Sequence, residues 1–260
     1  MAQGTYLDRI LEHHRARAAA DPRPLDALVE SARACVPPRG FARAISSTPH
    51  LAVIAEIKRR SPSKGDLNAG LDPAVMARTY QSGGASCLSV LTDEPHFGGS
   101  VADLQAARAA CELPVIRKDF TVDARDVCDA RIMGADCVLL IAAALSAGEL
   151  SDFLEVARLV DIDALVEVHD EHELAVALGA GATLVGVNQR DLVTFRVDHA
   201  RAVRMGSVIP ESVVKVAESG VRGREDALSL RAAGYHAVLV GEHLVTAPDP
   251  AAALTELCVD

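Results

Sequence analysis

The chain has 260 residues, 50% of them hydrophobic and 24% charged, with 26 Lys and Arg against 36 Asp and Glu. That composition supports a buried core and excludes a disordered chain. The net charge of −10 argues against broad binding to nucleic acid or anionic membranes, whose phosphates it repels, but leaves room for a small anionic substrate held by a local cluster of donors.

The first nine residues, from Met1 to Arg9, lack the basic-then-apolar order of a secretory signal. Residues 1–50 predict a helical extension: helices over 7–20 and 24–35, broken at Asp21-Pro22-Arg23-Pro24, with the Pro37-Pro38-Arg39-Gly40 turn leading into the first strand. From residue 51 onward, short β-rich apolar runs alternate with segments of helical periodicity. The runs fall at 51–57, 86–91, 114–116, 137–141, 164–168, 183–187, 213–217 and 236–240. Most are apolar throughout, as parallel strands covered on both faces should be. Between them lie helix signals: Asp72-Pro73 opens a helix that Gly83-Gly84 closes, Ser146 opens another, Asp170 precedes one ending at Gly179, and 222–233 ends at Gly234.

Eight strand–helix units in about 250 residues are the arithmetic of a closed (β/α)8 TIM barrel. An open doubly wound sheet would want a glycine fingerprint after the first strand, and Ile57-Lys58-Arg59-Arg60-Ser61 has none. The expectation is a single domain: a 51–260 barrel with the 1–50 extension over one end. No apolar run reaches the ~20 residues of a membrane helix. The six cysteines (Cys35, Cys87, Cys111, Cys128, Cys137, Cys258) form no CxxC pair and read as reduced core residues. A cytoplasmic location follows as the expectation.

Barrel enzymes carry their chemistry at the C-terminal strand ends, so polar residues that break an apolar strand there are the candidates. Glu56 and Lys58 end the first strand and, two apart, point the same way. Lys118 follows the third, Glu167 ends the fifth, Asn188 the sixth and Glu218 the seventh. Any one of them could be a structural ion pair. Six at equivalent positions point to function, since burying charge costs several kcal/mol per ion unless it is paired. Crowding and partial desolvation are expected to lower a lysine's pKa and raise a carboxylate's, which makes acid–base equipment. No serine shows a nucleophile elbow. Ser219-Gly220 after strand seven and Gly241-Glu242 after strand eight stand where barrels hold phosphate on backbone N–H groups. The first loop adds Lys58, Arg59, Arg60 and Lys64 with Ser61 and Ser63, a local anion trap of four cations. His169 and His172 have HxxH rather than HExxH spacing, so no metal is expected there. His13, His14 and His199 read as surface, and His96 and His243 as peripheral to the mouth.

The block Glu56-Ile57-Lys58-Arg59-Arg60-Ser61-Pro62-Ser63-Lys64-Gly65 resembles the first-strand signature of the indole-3-glycerol-phosphate synthases, barrel lyases of tryptophan biosynthesis. The resemblance continues through His96-Phe97-Gly98-Gly99-Ser100, 113–120, 165–169, Gly186-Val187-Asn188-Gln189-Arg190-Asp191-Leu192, 217–221 and 238–242, with Gln189 at a variable position. It implies closure of an indole ring from 1-(2-carboxyphenylamino)-1-deoxyribulose 5-phosphate with loss of CO2 and water. It implies Lys118 as general acid on the ketone oxygen, Lys58 on the benzoate, and Glu167 with the lysines in dehydration, leaving open which lysine is the acid there. Glu56, Asn188 and Glu218 would orient the lysines and bind hydroxyls. Ser61, Ser63, Arg190 and Ser219 would bind substrate, with Phe97 and Phe120 against the anthranilate ring. Gly220, Gly241 and Glu242 would hold the phosphate. No metal or organic cofactor, nucleic acid or membrane is implied. The chain would act as a monomer or beside other tryptophan-pathway enzymes on a phosphorylated small molecule. Two alternatives stay open: a phosphoribosylanthranilate-isomerase-like barrel, whose acid–base pair is Cys/Asp or Asp/Asp, and a catalytically silent barrel that binds a phosphorylated ligand.

Overall fold

Eight parallel strands close on themselves in the computed structural model, which describes residues 6–62, 64–191 and 196–260. They are β1 (Ala52–Ile57), β2 (Cys87–Leu91), β3 (Val115–Lys118), β4 (Cys137–Ile141), β5 (Asp163–Val168), β6 (Leu184–Asn188), β7 (Val214–Glu218) and β8 (Ala237–Val240). Each pairs with its sequence neighbours, and β1 closes the ring by pairing Ala52 with Ala237 of β8 and Ile54 with Cys87 of β2. The expected (β/α)8 barrel is therefore the fold. Three strands outrun their apolar runs: β3 continues to Lys118, β6 to Asn188 and β7 to Glu218. A ladder hydrogen bond is indifferent to side-chain polarity, so pairing such as Leu91 with Lys118 and Asn188 with Glu218 carries the strand past its last apolar residue. The polar candidates thus stand on rigid ladder rather than on loops.

Alternation along each strand builds two separate cores. Outward residues such as Val53, Leu88, Val138 and Val238 pack against the helices. Inward residues fill the barrel: Ala52 and Ile54, Cys87, Ile116, Cys137 and Leu139, Leu165, Leu184, Val216, Ala237 and Leu239. Two residues further along the same inward rows come Glu56, Ser89, Lys118, Glu167, Gly186 and Glu218. The interior is apolar below and ionisable above.

The helices follow their start signals. Asp72 caps α4 (Pro73–Ser82), with α5 (Val101–Ala110) and α6 (Ala124–Met133) next. Ser146 and Glu149 form a capping box on α7 (Ala147–Leu159), and Asp170 caps α8 (Glu171–Gly179). Then come α9 (His199–Val208), α10 (Arg224–Ala232), the short α11 (Glu242–Val245) and α12 (Pro250–Thr255). None of the described helices is long and apolar enough to cross a membrane.

The extension differs from its sequence reading. It holds α1 (Tyr6–Ala19) and α2 (Leu25–Arg33), but the turn at Gly40 leads into a third helix, α3 (Phe41–Ser46), before β1 begins. Six residues give too short a period to stand out. Phe41 and Ile45, fully buried, join the inner core and stop the barrel's N-terminal end, where the Ala42 N–H donates to Asp163 Oδ2 at 2.9 Å. At the opposite end α1 lies along the mouth. His14, expected at the surface, is buried: its Nε2 lies 3.0 Å from Asp93 Oδ2 and 3.9 Å from Asp119 Oδ1, and its ring is 5.4 Å from that of Phe120. The extension thereby reaches both ends of the barrel.

Burial pushes the Asp93 carboxyl up, but hydrogen bonds from His14 and His96 outweigh it and hold the group at about 2, against 3.8 ordinarily. A carboxyl depressed in the folded state contributes stability above its unfolded pKa, and this is lost as pH falls towards the folded one. Asp93→Asn should cost about 2 kcal/mol at pH 7 in urea unfolding, and the gap from the parent should close as the pH drops from 4 to 2.

Candidate active site

The upper ends of the inward rows line a cavity of about 570 Å³ with Leu139 and Leu239 on its floor. Glu56, Lys58, Lys118, Glu167, Asn188 and Glu218 all line it, so five strands deliver their polar ends to one cup. Lys58 Nζ sits 2.5 Å from Glu56 Oε1, and Ser89 donates to Glu56 Oε2 at 3.3 Å. Lys118 Nζ lies 3.8 Å from Glu167 Oε2. Asn188 Oδ1 accepts the Arg190 N–H at 3.0 Å.

The charges divide unevenly. Burial pushes Glu56 up, but the Lys58 and Lys118 cations and the bonds from Lys58 and Ser89 hold it below the usual carboxylate range. Burial pushes Lys118 down, yet the surrounding Glu167, Glu218 and Glu56 outweigh it and raise its pKa. The expected lowered lysine is therefore corrected: three carboxylates around one amine hold its proton more tightly. Burial, followed by the charge of Glu167, pushes Glu218 well above its usual range, and it is hydrogen-bonded to Glu167. Burial and that neighbouring charge therefore favour the neutral form of Glu218.

A glycine makes the pair possible. Gly186 on β6 sits in register with Glu167 of β5, and a Cβ there would meet Glu218 Oε1 at 2.0 Å. Glu218 leans across the space where a side chain would stand. A lone glycine inside an apolar strand is the sequence signal for such close approach.

The phosphate candidates gather on one side of the cup. Ser219, Gly220, Gly241 and Glu242 all line it. Ser219 and Gly220 are both left-handed, at φ 68° and 76°, a pairing that turns successive N–H groups to one side. A Cβ on Gly220 would meet Val197 Cγ1 at 2.4 Å, and one on Gly241 would meet Glu56 Oε1 at 2.4 Å. Gln189, buried, donates from Nε2 to the Ser219 carbonyl at 2.8 Å and holds the strained turn. Sequence reasoning treated Gln189 only as a variable position.

Other expectations are revised. Of the four first-loop cations, Lys58 and Lys64 line the cup, but Arg59 and Arg60 do not. Arg59 is bound to Asp103 and the Leu71 carbonyl, and Arg60 to the Glu94 and Pro95 carbonyls. Those arginines brace the loop, because carbonyls and a carboxylate lie nearer than the mouth. Ser61 and Arg190 line the cup, while Ser63 lies outside the described residues. Phe97 and Phe120 line it with centroids 6.3 Å apart. His199, expected at the surface, lines the cup, as do Tyr6, Leu7 and Ile10 of α1. These residues come from helices outside the βα loops, so no strand-end pattern marks them. His169 is turned towards Glu167 while His172 is exposed, so the two do not converge. Among the described residues, His14, Asp93 and Asp119 could in distance hold a metal. All four carboxylate oxygens there already accept hydrogen bonds, and the Arg117 guanidinium sits 2.8 Å from Asp119. The triad is an ion-pair network.

A family model described as indole-3-glycerol phosphate synthase matches residues 7–257. The chain is 54% identical over 223 residues to indole-3-glycerol phosphate synthase 2 of Streptomyces coelicolor, covering 86% of each chain. It is 48% identical to indole-3-glycerol phosphate synthase of Mycolicibacterium smegmatis over 99% of this chain and 95% of that one. Among solved structures, a 3-hexulose-6-phosphate synthase from Salmonella typhimurium superposes with a TM-score of 0.65 at 14% identity, over 80% of this chain and 97% of that one. That likeness concerns the fold alone.

Gly186→Ala should displace Glu218 and break its contact with Glu167. Indole formation should fall by roughly 10²-fold or more, while thermal unfolding shifts far less than activity. A fully active variant would show that the contact is dispensable.

Proposed function

The chain belongs to the indole-3-glycerol phosphate synthase family, and we propose from that premise how its own residues run the reaction. The substrate is 1-(2-carboxyphenylamino)-1-deoxyribulose 5-phosphate, and the products are indole-3-glycerol phosphate, CO2 and water. The observation that carries this reading is the pair of ion-paired lysines, Lys58 with Glu56 and Lys118 with Glu167, in one cup beside a row of glycine-rich turns. Two ammonium groups suit a substrate that brings a carboxylate and a ketone, and the turns suit its phosphate.

Lys118 enters the reaction charged, because Glu167, Glu218 and Glu56 hold its proton. It gives that proton to the ketone oxygen only as the aromatic carbon attacks and the oxygen gains alkoxide character, when the oxygen becomes the stronger base. Lys58, fixed by Glu56, takes the benzoate carboxylate and turns the aromatic ring towards the ketone. Phe97 and Phe120, tilted 39° to each other, offer apolar ring surface in the same cup. Glu167 accepts the proton lost as the ring aromatises. Glu218, neutral, hydrogen-bonds Glu167 and adds no second negative charge beside it. Asn188 and Arg190 shape the rim, Ser61 and Ser219 meet the ligand's polar groups, and N–H groups near Gly220, Gly241 and Glu242 take the phosphate. The six cysteines are all free, which supports action in the cytoplasm.

The isomerase alternative fares worse on one observation. Among the described residues the cup's lining contains no cysteine and one aspartate, Asp119, which is bound to Arg117 and Thr92. The silent binding barrel is separated from the synthase by turnover itself.

Purified protein mixed with the carboxyphenylamino-deoxyribulose phosphate should develop indole fluorescence. Lys118→Ala should lower that rate by roughly 10²–10⁴-fold, and near-normal turnover would remove its role as acid. Glu218→Gln, an amide copy of the neutral acid, should keep most of the rate, whereas Glu167→Gln should lose as much as Lys118→Ala.

A further inference from the structure

Proton counting sets a demand that the cup alone does not meet. The ketone oxygen leaves as water and so takes up two protons. Aromatisation returns one, and the ionised benzoate departs as CO2 carrying none. Each turnover therefore draws one proton from solvent into a cup that bound substrate fills.

Behind Glu167, on the side away from Lys118, stands His169. Its Nε2 lies 3.6 Å from Glu167 Oε1 and its Nδ1 lies 3.0 Å from Glu173 Oε2, which also accepts the His169 backbone N–H at 2.8 Å. Among the described residues Nε2 is buried with no hydrogen-bond partner, and Glu167 is the carboxylate it faces. His169 and Glu173 both line a second cavity of about 450 Å³, together with Asp170 and Arg201. Lys118, Glu167, His169 and Glu173 thus form one row of alternating charge from the reaction cup to a second opening.

We propose that His169 is a positioning residue for Glu167 that relays the proton consumed in each turnover from the second cavity into the cup. The proposal rests on the synthase reading. As an imidazolium, with Nδ1–H donated to Glu173, the ring releases its Nε2 proton to Glu167. Glu167 hands it to Lys118, the donor that must be recharged, and the neutral ring turns to take a replacement proton at the same Nε2 from water in the second cavity that it lines. No bond other than N–H and O–H changes, and the single proton entering equals the one the reaction consumes. The surrounding groups support this. Burial pushes His169 down, but the bond to Glu173 and the charge of Glu167 outweigh both burial and the opposing Arg201 cation, so its pKa is raised. The ring therefore takes up a proton more readily than an ordinary histidine.

The test compares parent, His169→Ala and His169→Asn in steady-state indole formation, with circular dichroism to confirm folding. The asparagine keeps a hydrogen-bonding group beside Glu167 but does not shuttle protons. Both variants should lose kcat by roughly tenfold or more with KM changed by less than about threefold. Their rates should also rise with buffer concentration at fixed pH, and imidazole should restore His169→Ala through the second cavity. His169→Asn with the parent's kcat and no buffer dependence would overturn the relay, and so would a His169→Ala loss that imidazole leaves unchanged. Should His169→Ala fail to fold, the asparagine variant decides alone. A parent that forms no indole overturns the synthase reading itself, and this proposal with it.

Discussion

Charge placed inside a barrel is tolerable only when each ion faces its opposite, and the upper half of this interior is organised around that constraint. Lys58 is matched by Glu56 and Lys118 by Glu167. The carboxylate left over, Glu218, is pushed well above its usual range by burial and the charge of Glu167, which favours its neutral form. The same balance that makes the unliganded cup stable makes it reactive. A bound carboxylate and phosphate would enter as new anions among amines that already hold their protons firmly, and the proton moves when the substrate oxygen becomes basic enough to claim it.

The strands make this matching precise. Because alternation is strict, Glu56, Lys118, Glu167 and Glu218 each sit one inward step above an apolar residue of the inner core, Ile54, Ile116, Leu165 and Val216 respectively. Packing of that core fixes the height and direction of the charges above it. Phe41 and Ile45 of α3 close the same core from below. A short helix far from the chemistry therefore supports the floor on which the charges stand. At the other end α1 is pinned through His14 to Asp93, and its ring meets Phe120. The extension acts on the site from both directions.

Two cavities lie on either side of the Glu167–His169 contact, Glu167 lining the larger and His169 the smaller, and they differ in character. The larger has an apolar floor and a charged, glycine-turned wall; the smaller is lined mainly by ionisable residues. The glutamate between them accepts contacts from Lys118 on one side and His169 on the other. On the relay proposed above, Glu167 exchanges protons with the bound molecule directly and with the second cavity through His169.

Much of this was legible in the sequence, because what defines it is local. Apolar runs broken by a single polar residue mark strands and strand ends, and the two-residue repeat places Glu56 beside Lys58 on one face. Asp72, Ser146 and Asp170 mark helix starts through hydrogen bonds to backbone two or three residues away. The rest depended on partners distant in the chain. His14 and Asp93 are 79 residues apart, so nothing near His14 distinguishes it from a surface histidine. Arg59 and Arg60 looked like part of an anion trap until the fold brought Asp103 and the Glu94 and Pro95 carbonyls beside them. The direction of the Lys118 shift turned on how many carboxylates three other strands bring within reach. Sequence alone determined which side chains share a face of a strand, since the two-residue repeat follows from backbone geometry. Only the closed tertiary structure decided which of them meet, because Coulomb interaction and desolvation depend on distance in space, and barrel closure sets that distance.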